Sequence, residues 1–168
     1  AGGLEVLREF FAGMPPDSGL AFVVVVHLDP EHESHLNDLL AANTPMRVQL
    51  AEDGMPVEPN TVYVIPPNAY LYYKEGHLYL DTPLRRKGAP MTVDYFFRSL
   101  ADELAGQAIC VVLSGAGSDG TLGVRACRAA GGLMIIEDPA EAKYDSMPRS
   151  AVNTGMADFV LPVAQMPD

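Results

Sequence analysis

The sequence predicts an α/β domain: a doubly wound, mostly parallel sheet with helices on both faces and an inserted β-hairpin. Three observations carry that expectation. Short, uniformly apolar, β-branched runs such as Leu20–Val26 and Ile109–Leu113 are the mark of parallel strands buried on both faces. Segments with apolar residues at helical spacing alternate with these runs. One stretch, Tyr70–Leu80, breaks the alternation with two strand-like runs around Lys74-Glu75-Gly76, the pattern of a hairpin whose turn is relieved by glycine.

Taken in order, Gly2–Ala12 carries Leu4, Leu7, Phe10 and Phe11 at helical spacing, and Gly13, Pro15 and Pro16 end it. The strand Leu20–Val26 follows. Ser34–Ala42 reads as a helix with Ser34 as N-cap and Leu36, Leu39 and Leu40 on one face. Strands are expected at Arg47–Leu50 and Thr61–Ile65, the second closed by Pro66-Pro67, since proline cannot donate to a ladder. After the hairpin and a Pro/Gly loop comes a helix over Val93–Leu104 with Phe96, Phe97 and Leu100, then the strand Ile109–Leu113. A glycine-rich turn leads to a helix over Thr121–Ala130 that stops at Gly131-Gly132. Leu133–Ile136 and Phe159–Leu161 complete the strands. No repeat, low-complexity tract or linker interrupts the pattern, so residues 1–168 are expected to form one domain.

Composition narrows the function. The chain has 168 residues, 48% of them apolar and 20% charged, ordinary for a globular domain able to bury a sizeable core. Its net charge of -11 opposes binding of nucleic acid through a broad basic surface. The one basic cluster, Arg85-Arg86-Lys87, reads as a solvated turn or as a local attraction for an acidic protein partner. No apolar run is long enough to cross a bilayer and no leader opens the chain, so neither membrane insertion nor export is expected and the compartment is expected to be cytoplasmic. Cys110 and Cys127 lack metal-ligand spacing and read as small core residues rather than as a disulfide.

In open α/β sheets, sites gather beyond the carboxyl ends of the strands. Two strand ends here carry reactive groups. His27 follows the run Val23–Val26, and Asp119 lies in the turn Leu113-Ser-Gly-Ala-Gly-Ser-Asp-Gly120. A histidine and an aspartate so placed are the base and its orienting partner in a nucleophilic triad. Each also has a structural reading: His27 as a hydrogen-bonded end to the strand, Asp119 as the N-cap of the helix that follows it. The same turn matches the G-x-G-x-x-G nucleotide pattern through Gly115, Gly117 and Gly120, with Glu137-Asp138 at the end of the next strand as acids near the distance expected of a ribose ligand. Against that, Asp119 would set a carboxylate where pyrophosphate must sit. A third reading is metal, from His27, Asp29, Glu31, His32, Glu33 and His35. These lack the helical i, i+4 histidine spacing of a zinc peptidase, and a polar loop entering a helix accounts for them; no metal is expected.

Several segments together resemble the catalytic domain of the CheB-type protein-glutamate methylesterases, most closely the version fused to methyltransferase and sensory domains. They are Ala1-Gly-Gly-Leu4, Val26-His-Leu-Asp-Pro30, Ala51-Glu-Asp-Gly-Met-Pro-Val-Glu-Pro59, Val62-Tyr-Val-Ile-Pro-Pro67, Val93-Asp-Tyr-Phe-Phe-Arg-Ser-Leu100, Leu113–Gly120 and Ala142-Lys-Tyr-Asp-Ser-Met-Pro-Arg-Ser150. Each is weak alone; their joint order is specific, and they span nearly the whole chain.

The resemblance implies hydrolysis of γ-glutamyl methyl esters on chemoreceptor-type proteins, with deamidation of certain glutamines, and no cofactor. It implies His27 as general base and acid and Asp119 as its partner. The family nucleophile is the serine of a G-A-S-x-G-G turn. Ala1 matches the x position and Gly2-Gly3 the glycines, so the serine is expected just before Ala1, with a strand ahead of it. The chain as written is therefore expected to be a trimmed piece of a longer protein, and inactive. Ser114 and Ser118 receive no catalytic role from the resemblance. Ala1, Gly2, Ala116 and Gly117 are expected to line the oxyanion and substrate cleft; where the family usually has methionine, Ala116 leaves the backbone donor and a less bulky wall. The competing expectation is a catalytically idle module that binds receptors or restrains a neighbouring domain.

Overall fold

The computed structural model describes residues 3–26, 36–67, 69–81, 91–115 and 119–167. Helix α1 spans Gly3–Gly13 and strand β1 Phe22–Val24; α2 spans Leu36–Ala41, β2 Arg47–Leu50, β3 Met55–Pro56 and β4 Thr61–Val64. The hairpin is β5, Tyr70–Lys74, and β6, His77–Asp81. There follow α3 (Thr92–Leu104), β7 (Ile109–Val112), α4 (Thr121–Ala129), β8 (Leu133–Glu137), α5 (Ser146–Val152) and β9 (Phe159–Leu161). The sequence pattern anticipates most of these within a residue or two.

The parallel strands form two three-stranded sheets, ordered β1-β4-β2 and β7-β8-β9. In the first, β4 is central and wholly buried. Its alternation divides the core: Val62 and Val64 pack with Val6, Leu7, Phe10 and Phe11 of α1 and Leu36 and Leu40 of α2. Tyr63 and Ile65 join the other cluster, with Phe96 and Phe97 of α3 and Val124 of α4. Helices thus cover both faces, as a doubly wound sheet requires. The Tyr63 hydroxyl, fully enclosed, donates to Pro56 O at 3.2 Å and accepts from Glu58 N–H at 2.8 Å, meeting its polar needs inside the core.

The hairpin stands apart, in a three-stranded antiparallel sheet ordered β3-β6-β5. Its two turn residues, Glu75 (φ 49°) and Gly76 (φ 78°), both have positive φ, the signature of the turn whose twist suits a two-residue hairpin. It is fastened to α3, where Ser99 Oγ accepts from Tyr73 N–H at 3.0 Å and donates to Phe96 O at 2.7 Å.

Three elements differ from expectation. The strand expected over Leu20–Val26 is shortened to Phe22–Val24, and Phe22 and Val23 are only half-buried. Strand β3 and helix α5 are additions. The first is a two-residue antiparallel pairing with β6; the second starts with Pro148 in its first turn, where a missing N–H breaks nothing.

Candidate active site

The two sheets end on opposite walls of a cavity of about 1350 Å³. One wall is β1 and its continuation, Val23–Val26; the other is Val111–Gly115, from β7 into the turn that follows. Cys110 and Val112 of β7 are buried in the core, and Val111, Val112 and Leu113 line the cavity, joined by Ile135 from β8. Leu4, in the first turn of α1, and Phe96, Phe97 and Leu100 of α3 also line it. Among the described residues β1 pairs only with β4 and β7 only with β8, so each turns an open ladder edge outward. That open edge is why β1 falls short of the two-sided burial its composition predicts.

Residues close in sequence to those expected to carry the chemistry line this cavity. Val26 immediately precedes His27, Leu4 follows Gly2-Gly3, and Gly115 leads to Ala116, Gly117 and Asp119. Of these site residues only Asp119 is among those described. His27, Ala1, Gly2, Ala116 and Gly117 lie outside the described residues, as do Ser118, the candidate ligands between 27 and 35, the expected cap Ser34 and the cluster Arg85-Arg86-Lys87.

Asp119 is buried, and it caps a helix other than the one its sequence position suggests. Its two carboxylate oxygens accept from Val93 N–H at 3.0 Å and Asp94 N–H at 2.9 Å, the first turn of α3. The helix that follows Asp119, α4, has Gly120 at its N-cap with φ 97°, a left-handed conformation that suits glycine. The carboxylate serving α4 comes from α3: Asp94 Oδ1 accepts from Gly123 N–H at 2.8 Å. Two helix N-termini therefore exchange carboxylates. Burial, together with the nearby charge of Asp119, pushes the Asp94 carboxyl above its ordinary range, and the amide of Gly123 offsets part of that rise. With Asp94 already at the start of α4, a dinucleotide pyrophosphate there would meet a carboxylate, which weighs against the G-x-G-x-x-G reading.

The turn's other anchor is Glu137, at the end of β8, which the sequence reading entertained only as a ribose ligand. It is buried and accepts the Ser114 N–H at 2.6 Å. Burial raises its carboxyl above the ordinary range, with a further push from Glu9 and Glu141 and an opposing pull from the Ser114 amide. The Ser114 hydroxyl is bound to one backbone unit, accepting from Tyr144 N–H at 2.9 Å and donating to Tyr144 O at 3.3 Å. Gly115 is held in the same way, its N–H on Tyr144 O and its carbonyl on Met147 N–H. Ser114 is thus engaged in binding the turn to the segment Tyr144–Met147. Among the described residues no group of three or more potential ligands is placed to hold a metal, and no helix is long and apolar enough to cross a membrane.

Comparison with known proteins agrees with this fold. The fold matches the crystal structure of the Thermotoga maritima CheB methylesterase catalytic domain with a TM-score of 0.91 and 30% identity, covering 99% of this chain and 90% of that one. Over 163 residues the chain is 32% identical to the protein-glutamate methylesterase/protein-glutamine glutaminase of group 3 operon of Rhizobium meliloti, covering 96% of the chain and 46% of that protein. Over 168 residues it is 33% identical to protein-glutamate methylesterase/protein-glutamine glutaminase 2 of Burkholderia lata, covering 99% of the chain and 49% of that protein. An uncharacterized 104.1 kDa protein of Rhodobacter capsulatus is 44% identical over 128 residues, 76% of this chain and 13% of that protein. The chain thus spans about half the length of these two methylesterases and a small part of the larger protein. A family model described as CheB methylesterase matches residues 1–168, and the chain belongs to that family.

Proposed function

We propose that this domain hydrolyses glutamate γ-methyl esters on chemoreceptor-type proteins to glutamate and methanol, and deamidates certain glutamines, by a serine–histidine–aspartate mechanism. The nucleophile is a serine immediately upstream of Ala1, at the end of a parallel strand that lies between β1 and β7. The observation that carries this reading is the cavity. Its walls are two open parallel-strand edges lined by apolar side chains, and it adjoins the segments leading to Ala1, His27 and Asp119. A strand there completes both ladders, and its carboxyl end meets the three segments where such sheets place their chemistry.

In the proposed reaction the serine Oγ attacks the ester carbonyl while His27 accepts its proton. The tetrahedral oxyanion is stabilised by backbone N–H groups near Ala116 and Gly117 and at the Ala1-Gly2 turn. His27 returns the proton to the departing methoxide, and water then releases the glutamate by the reverse sequence. Asp119 orients the imidazole. Its anchorage on two amides of α3 supports that role, since backbone donors hold the carboxylate in a fixed position. The reaction requires no cofactor. The partner is a methylated receptor helix; the parent protein is cytoplasmic and carries methyltransferase and sensory domains.

A fluorophosphonate ester tests the nucleophile directly, applied to the chain extended upstream through the expected strand and serine. We expect one stoichiometric adduct on the residue preceding Ala1, lost in His27→Ala. Labelling at Ser114, or labelling indifferent to His27, would overturn the assignment.

A further inference from the structure

We propose that Cys110 and Cys127 form a redox-sensitive disulfide that staples β7 to α4 across the turn carrying Asp119. The two sulfurs lie 2.7 Å apart, closer than two unbonded thiols ordinarily rest, and they join residues 17 apart in the chain. Both are free cysteines with no exposed surface, and both sit in the core cluster with Val112 and Val124. The two sulfurs therefore already face each other inside the core, close to bonding range. Between them lie the whole of Leu113–Gly120 and most of α4. In a reducing compartment the pair rests as a dithiol, so the bond reports oxidation rather than standing as a permanent brace.

The chemistry is thiol–disulfide exchange with a low-mass disulfide as oxidant. The contact between the two sulfurs, in which either can be the donor, lowers Cys127 and, together with burial, raises Cys110, so Cys127 is the first to ionise. The Cys127 thiolate attacks one sulfur of the oxidant and expels the other as a thiolate. The Cys110 sulfur then displaces the remaining oxidant thiolate from the mixed disulfide. The two cysteine protons pass to the two released thiolates, so one external disulfide is reduced to two thiols as one internal disulfide forms. Burial means the first attack waits on local opening of α4. This inference stands independently of the esterase reading.

The test equilibrates the purified domain in glutathione buffers of increasing oxidised fraction, both from the native state and during refolding from urea, where burial is no barrier. Free thiols are counted in denaturant and Tm is recorded. We expect both thiols to disappear within a monomer and Tm to rise by about 6–12 °C for a loop of this length, with no such rise in Cys127→Ala. Two persisting thiols after oxidative refolding would overturn the proposal. So would pairing between molecules, or a Tm that falls on oxidation.

Discussion

Asp119 and Asp94 each cap the helix to which the other is joined. Asp119, one residue ahead of the N-cap of α4, holds the amides of Val93 and Asp94 at the start of α3, and Asp94 holds the amide of Gly123 in α4. The crossed carboxylates tie α3 to α4 at the ends nearest the turn that follows β7. Asp119 is therefore structural as well as a candidate for catalysis, and its substitution has consequences on both counts.

Asp119→Ala removes two charge-assisted hydrogen bonds at a buried helix end and is expected to cost about 2 kcal/mol of stability. Asp119→Asn keeps one carbonyl acceptor and is expected to cost about half of that. Urea denaturation of both variants gives the comparison. An alanine variant as stable as the parent would mean that the α3 cap contributes nothing.

Glu137 sets a pH dependence. Burial raises its carboxyl above the ordinary value near 4.5, so the folded state binds its proton more tightly than the unfolded chain does. Its contribution to stability is then fully present below the unfolded value and is lost as pH rises through the folded one. Glu137→Gln, whose carbonyl still accepts the Ser114 N–H, removes the ionisation. We expect stability against pH between 4 and 8 to fall less in the variant than in the parent, with the variant gaining relative to the parent as pH rises. Parallel curves in urea melts across that range would contradict the assignment.

Gly123 is where α3 and α4 touch. A Cβ there would stand 2.5 Å from the Cβ of Phe97, an atom fixed to the α3 backbone that no rotamer change moves aside. Gly123→Ala is expected to destabilise by about 1–3 kcal/mol through overpacking, despite alanine's better helix propensity. Thermal unfolding would show a lowered Tm, and an unchanged or raised one would mean the helices separate freely.

The fold class was legible because it rests on period and composition: valine-rich strands alternating with amphipathic helices, and a glycine turn with positive φ in the hairpin. Helix α5 was not, because Pro148 reads as a break until its place in the first turn is seen. The short extent of β1 was not, because its apolar run predicts two covered faces, while one ladder edge opens on the cavity. At the site, Asp119 stood out by its position after a strand. Its actual cap partners lie 25 and 26 residues away on another helix, and sequence rules for caps look only to the adjoining one. Glu137 was noticed for the wrong reason, as a ribose ligand, since nothing local to it reveals the amide of Ser114.

The most direct test of the account is methanol release from a methylated receptor by the chain extended upstream through its expected strand and serine, at matched folded concentration beside His27→Ala. The account predicts steady release that collapses in the His27 variant to the level of residues 1–168 alone. Receptor binding with no methanol from any form would contradict it, and would mean that a methylesterase fold serves this protein for recognition alone.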